Sequence, residues 1–479
     1  MISRDHYRTI TQFHENERLW EFSITPAGNI SLWIAVALLL SATDYRFLVP
    51  VMFLAQLFPA KRLWIMGIGG GGLFLLKKLN QLQVFQTFWF AIDVAIIIGL
   101  IYLFYRISLS FSKLPKIVKS NPQIALHLIL WMAIIAILFL PDDFRQNPSW
   151  VFTANLNVCL IFFAFLVWRL GFMLYSGKRG SIKKTNFLDH LTYCLPYLGS
   201  SQVPFAKGLE YLTSKMADGR LDLAKAQLAG LKLLLLALLW KLSLYLLDWL
   251  FFSSDPNLPP LFRLYHISQL IAISATAMPH LAVVWSSLIL DMVYETTQLA
   301  IYGHMIVGCL RLFGFHVFRN TYKPLLAKSL IDFWNRYYFY FKELLVDFFF
   351  FPVYLSFFRN HPKLRIFAAT MASACFGNFY YHFLQHFDRL MISGEPLSFA
   401  KFSSYLFYTV VLGLAIFFSI LKEQRQRGKE HVAPPSTWRT LRQIAGVWIF
   451  FTILRIWDHG DSSFMTDTTF FFAIFGIRF

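Results

Sequence analysis

The run Met371-Ala-Ser-Ala-Cys-Phe-Gly-Asn-Phe-Tyr-Tyr-His-Phe383 puts a histidine inside an apolar stretch. Its small residues permit close helix packing, and its polar members, Asn378, Tyr381 and His382, are the ones able to face a cavity. An imidazole there takes a proton from a hydroxyl near neutral pH, which acyl transfer requires. The alternative is a histidine hydrogen-bonded within a helix bundle, which spacing alone favours. His386, one turn further on and nearly on the same face, competes for either role.

A second stretch, Arg319 to Pro352, is polar, aromatic and amide-bearing. Ionisable and amide groups at the edge of a bilayer are costly unless paired or hydrated, so Asp332, Asn335, Arg336 and Asp347 line a polar cavity or channel. Equally, the same residues describe an interfacial helix anchored by Trp334 and the neighbouring tyrosines. His190, His280, His304, His316 and His361 show no HExxH or paired-ligand spacing, and no metal is expected. Gly69 to Gly72 lacks the Lys-Ser/Thr pair of a phosphate loop, and no GxSxG elbow is present.

The elements that position these residues are membrane helices. Of 479 residues, 57% are hydrophobic and 15% charged, more apolar than a soluble domain needs. The net charge of +18 reads as cytoplasmic loops, with no nucleic-acid partner. The four cysteines, without CxxC spacing, indicate neither zinc nor a disulfide framework. Apolar runs predict an all-α, polytopic integral membrane protein of roughly 11 to 13 membrane elements, re-entrant or interfacial helices included. The clearest are Phe85 to Tyr105, Gln123 to Leu140, Trp150 to Tyr175, Gly230 to Phe252, Ile366 to Phe387 and Phe402 to Leu421. The first run follows a mixed-charge stretch with no cleavage site, so no cleaved signal peptide is expected.

Basic segments around Arg106 to Lys119, Lys178 to Lys225, Arg311 to Lys342, Arg359 to Arg365 and Lys422 to Arg442 face the cytoplasm by the positive-inside rule. Asp142 to Pro148, Ser253 to Pro260 and Asp458 to Asp467 belong outside. Leu344 to Phe358 is apolar with basic segments at both ends, so it dips in and returns or lies at the interface. Leu221 to Leu231 reads as part of an amphipathic surface helix. No repeat or long linker divides the chain. A single membrane domain is expected: N-terminal helices over 1–174, a core over 187–389 and C-terminal helices over 390–479.

The Phe315 to Pro352 region resembles the central signature of the membrane-bound O-acyltransferase (MBOAT) family. Its markers are Arg319-Asn320, Tyr322-Lys-Pro324, Asp332-Phe-Trp-Asn-Arg336 and Leu345-Val-Asp-Phe-Phe-Phe-Phe-Pro352. Bacterial alginate O-acetylases and teichoic acid D-alanyl transferases carry a similar "FWxRW" run before "RDYLYxPL". Phe187 to Pro196 and Gly230 to Asp248 resemble earlier segments of the family in the same order. The family's histidine, some tens of residues past the tryptophan motif, corresponds to His382, and Asn335 matches the asparagine of "DWWN" in the sterol and diacylglycerol branch. The usual "WHG" is replaced by Tyr380-Tyr381-His382-Phe383, and a histidine after "FWxRW" by Tyr338, as in a divergent branch.

The resemblance implies an O-acyltransferase of a bacterial inner membrane, with no bound cofactor. Its donor is acyl-CoA or an acyl carrier protein, and its acceptor a hydroxyl of a cell-envelope polysaccharide or a lipid, with an acyl-carrier or periplasmic protein as further partner. His382 would be general base, Asn335 would orient or stabilise the acyl carbonyl, and Asp332, Trp334, Arg336, Tyr338, Asn378, Tyr381 and His386 would line the tunnel. The rivals are a transporter or flippase, for which polar groups in many spans are equally expected, and an inactive family member serving in assembly.

Overall fold

The computed structural model describes residues 12–82, 87–139, 151–194, 208–252, 263–385, 399–427, 436–459 and 463–477. They are helical, with no strand among the described residues beyond an antiparallel bridge between Met216 and Phe315. By length and composition, three described helices can cross a membrane: Cys159–Arg179, Gly219–Phe252 and Phe402–Arg425. Glu17–Ile24 and Pro26–Leu40 make a fourth if the pair, bent by 97°, is one span. The bend is written in the sequence. Pro26 disfavours helical geometry at Thr25, whose extended backbone breaks the helix and whose side chain caps the next one at the Gly28 N–H, 3.1 Å away. The chain is thus an all-α membrane protein.

Two compact units share the chain. One takes Met1–Leu235, Met305–Phe318 and Leu384–Glu395; the other takes Leu236–His304, Arg319–Phe383 and Pro396–Phe479. In the first, Arg62 is buried and donates to the carbonyls of Ala217 at 3.2 Å and Gly314 at 3.3 Å. Gly314 sits at φ 89, in a turn that L side chains rarely adopt. Leu221 to Leu231 is not a separate surface helix but part of Gly219–Leu247, with Leu223, Ala224 and Leu228 buried. No proline interrupts it, and Gly230 packs where an added Cβ would lie 2.8 Å from the Gly308 carbonyl.

The second unit is built on an aromatic and aliphatic core in which Phe333 stacks on Phe451 at 3.9 Å, beside Leu270, Leu288, Tyr408, Leu412 and Trp457. Three π-helical turns occur among its described residues: Asp248–Phe252, Val346–Phe350 and Met371–Gly377. Such turns hold an extra residue per turn and so re-aim the side chains that follow. The expected span Ile366 to Phe387 is accordingly not one regular helix over its described part: Pro362–Thr370 passes through the Met371–Gly377 turn into Asn378–Gln385. After Phe358 the chain turns back, and Phe351–Ser356 packs on Pro362–Thr370.

Gly377 closes the π turn because nothing larger fits: a Cβ there would lie 2.6 Å from the Phe349 ring. Gly377→Ala should destabilise the protein by about 1–3 kcal/mol, the usual cost of overpacking. Thermal unfolding in detergent checks this, and an unchanged midpoint would show that Phe349 can give way.

Candidate functional site

His382 stands on the first turns after the π-helical segment, where Asn378, Tyr381 and His382 are spaced three and four apart and share a face. Asn378 is buried, and its Oδ1 accepts from the Tyr405 hydroxyl at 3.1 Å. The Tyr405 ring lies 4.8 Å from that of His382. Phe341 meets Tyr381 at 4.5 Å and His382 at 5.8 Å, edge to face with the imidazole. His382 is therefore a half-buried imidazole in a collar of Phe341, Tyr381 and Tyr405. Aromatic walls of this kind exclude water from one side of the ring.

Phe341 is set in place by a strap, Arg319 to Tyr322, that closes the break between the helices Leu330–Tyr337 and Phe339–Leu345. The Asn320 carbonyl accepts from Phe339 N at 2.9 Å, and its Oδ1 accepts from Tyr340 N at 3.2 Å. These bonds satisfy donors that a helix start otherwise leaves open. Thr321 Oγ1 donates to the Tyr337 carbonyl at 3.0 Å, and Tyr322 N to that of Arg336 at 2.7 Å. Gly303 lets the strap approach closely, since an added Cβ would sit 3.1 Å from Asn320 Nδ2 and Thr321 Oγ1.

Of the residues singled out from sequence, Trp334, Tyr338, Tyr381 and His382 gather around one ring, that of Phe341, with Trp334 at 6.2 Å and Tyr338 at 5.5 Å from it. Asn378 joins them through Tyr405. The others are engaged elsewhere. Asp332 and Arg336 pair at 2.6 Å, one helical turn apart, and Asp332 also accepts from Lys328 N at 3.0 Å. Asn335 is exposed, and its Oδ1 accepts from Lys342 Nζ at 3.3 Å. These contacts do not join Asn335 to His382 directly, while the amide of Asn378 is linked to the surroundings of His382 through Tyr405. Asp347 is half-buried in the Val346–Phe350 turn, and His386 lies outside the described residues. Asn320, Phe341 and Tyr405 were not foreseen as site residues; the Arg319-Asn320 pair was the one signal for the first.

A second polar cluster of the same unit also went unforeseen. Asp291, buried on the helix Leu281–Leu312, accepts from His266 Nδ1 at 2.9 Å on one oxygen and from Arg455 Nε at 3.2 Å on the other. Arg455 reaches Glu295 at 3.0 Å as well, and the Asp458 carbonyl at 2.8 Å. Phe252 stacks on His266 at 4.2 Å, and Tyr294 donates to Asp248 at 3.3 Å. Every charge here has a partner of opposite sign or a hydrogen bond, which is what burial demands. Among the described residues, no group of three His, Cys, Asp or Glu side chains is placed to hold a metal ion.

No protein-family model matches the chain, and no curated protein matches it.

Proposed function

We propose that this chain is a membrane O-acyltransferase with an MBOAT-like, multi-pass architecture of roughly 11 to 13 membrane elements in a bacterial inner membrane. The observation that carries the reading is the collar of His382: a half-buried imidazole held by Phe341, Tyr381 and Tyr405, on the same helical face as the buried amide of Asn378. One member of the collar, Phe341, lies in the region on which the family resemblance rests.

In this reading the imidazole takes the proton of an acceptor hydroxyl as its oxygen attacks the acyl carbon of a thioester. The carbon–sulfur bond breaks, the sulfur leaves as a thiolate, and the imidazolium returns the proton to it. The donor is acyl-CoA or an acylated carrier protein, and the acceptor a hydroxyl of a cell-envelope polysaccharide or a lipid. Asn378 and Tyr405 fix the geometry around the base, the amide taking the orienting part that sequence gave to Asn335.

The two asparagines separate this arrangement from the one expected. Asn378→Ala breaks the bond to Tyr405 and should lower kcat by about tenfold or more, of the order that follows from losing one hydrogen bond that positions a reacting group. Asn335→Ala removes an exposed contact to Lys342 and should leave kcat within about twofold. Steady-state transfer by the two variants in nanodiscs checks this; the reverse order would restore the Asn335–His382 pair.

A further inference from the structure

The turn between Phe351–Ser356 and Pro362–Thr370 is exposed without interruption from Leu355 to Leu364. Its apolar members are large: Phe357 is 56% exposed and Phe358 45%, with Leu355 and Leu364 beside them. Phe351 and Leu355, one helical turn apart and both exposed, extend the same apolar face. Phe358 holds φ 53, a left-handed conformation that is strained for a bulky side chain. Strain of that kind persists where a turn must present particular side chains.

The charges of the segment are all of one sign. From Phe348 to Gln385 the sequence contains Arg359, Lys363 and Arg365 and no aspartate or glutamate. Arg365 is committed locally, its guanidinium 3.9 Å over the Tyr354 ring and donating to the Tyr354 carbonyl. Arg359 donates to the Leu355 carbonyl at 3.3 Å, which holds it at the tip without neutralising it. Lys363 is exposed and has no carboxylate partner among the described residues.

We propose that this hairpin tip is a docking surface for the anionic phosphodiester headgroups of a bilayer leaflet. Leu355, Phe357, Phe358 and Leu364 sit at the boundary of headgroups and acyl chains, and Arg359 and Lys363 hold the phosphates. Aromatic and aliphatic side chains gain from that boundary, while cations on long stems keep their charge in the headgroup layer. Charge complementarity selects the partner: two unneutralised cations on an apolar tip attract anionic lipid over zwitterionic lipid by about fivefold each. The basic segment Arg359 to Arg365 places the tip on the cytoplasmic side, where anionic lipid carries the surface potential. The inference does not depend on acyl transfer.

The test uses the full chain in nanodiscs of equal parts phosphatidylcholine and phosphatidylglycerol, one of the two carrying a diazirine in its headgroup, with adducts mapped by mass spectrometry. The expected result is labelling of the peptide spanning 355–364 in preference by phosphatidylglycerol. That labelling should fall about fivefold in Lys363→Gln and again in Arg359→Gln/Lys363→Gln, with labelling by phosphatidylcholine unchanged. Both substitutions are of exposed residues, and matched unfolding midpoints establish that the fold is kept. Equal labelling by both lipids or indifference to the double variant would each overturn it.

Discussion

His382→Ala should lower acyl transfer by about 10²- to 10⁴-fold, the contribution of a positioned general base. Truncation also opens space between Phe341, Tyr381 and Tyr405, so His382→Gln is the companion variant: it fills most of that space, keeps a polar end and cannot accept a proton near neutral pH. Both variants should lose kcat to a similar degree, with His382→Gln retaining the unfolding midpoint of the wild type. If His382→Gln transferred acyl groups at the wild-type rate, the histidine would be a packing residue of the bundle, and the base would have to be sought elsewhere.

Asp291→Ala should cost about 3–5 kcal/mol of stability, the penalty for stranding a buried charge by removing its partner. Asp291 is the pivot of its cluster, with a side chain 2% exposed, and it meets His266 and Arg455 on separate oxygens. Its loss leaves the Arg455 guanidinium, 16% exposed, with partners only at the cluster's rim. Glu295 provides the internal comparison: it is 39% exposed, and Glu295→Gln should cost under about 1 kcal/mol, as exposed ion pairs do. Unfolding of the three proteins in the same detergent measures both differences. A cost for Asp291→Ala no larger than for Glu295→Gln would mean that water reaches the network and that the core of this unit is not closed around it.

What the sequence made legible follows from how far each signal reaches along the chain. Apolar runs and basic loops are local, and they suffice for an all-α membrane protein and for the long apolar helix beginning at Phe402, read to Leu421 and found to run through Arg425. The bend at Thr25-Pro26 between the first helices was not foreseen, although its cause is local. Long-range contacts have no periodicity. Nothing near His266 announces Asp291 or Arg455, and nothing in the Asn320 neighbourhood announces that its amide caps the helix of Phe341. A helical period of 3.6 residues also fails across a π turn, which is why Ile366 to Phe387 reads as a single span although its phase changes at Met371–Gly377.

The same limit explains the asparagines. Asn335 stands out because of its motif, yet its side chain is exposed beside Lys342. Asn378 has no motif of its own. It matters because the π turn brings its amide onto the Tyr405 hydroxyl, one turn from the imidazole. Small residues ahead of it, Ala372, Ser373, Ala374 and Gly377, indicated close packing but not its partner.

The most direct measurement is release and transfer of a labelled acyl group by the purified wild type in nanodiscs. Acetyl-CoA, a long-chain acyl-CoA and an acylated carrier protein are offered in turn, with envelope glycan and lipid extract as acceptors and His382→Ala run beside the wild type. The expected result is an ester product from at least one donor, formed by the wild type and nearly absent with His382→Ala. Movement of labelled substrate across the bilayer without any ester, from every donor and in both proteins alike, would contradict acyl transfer and identify a carrier instead.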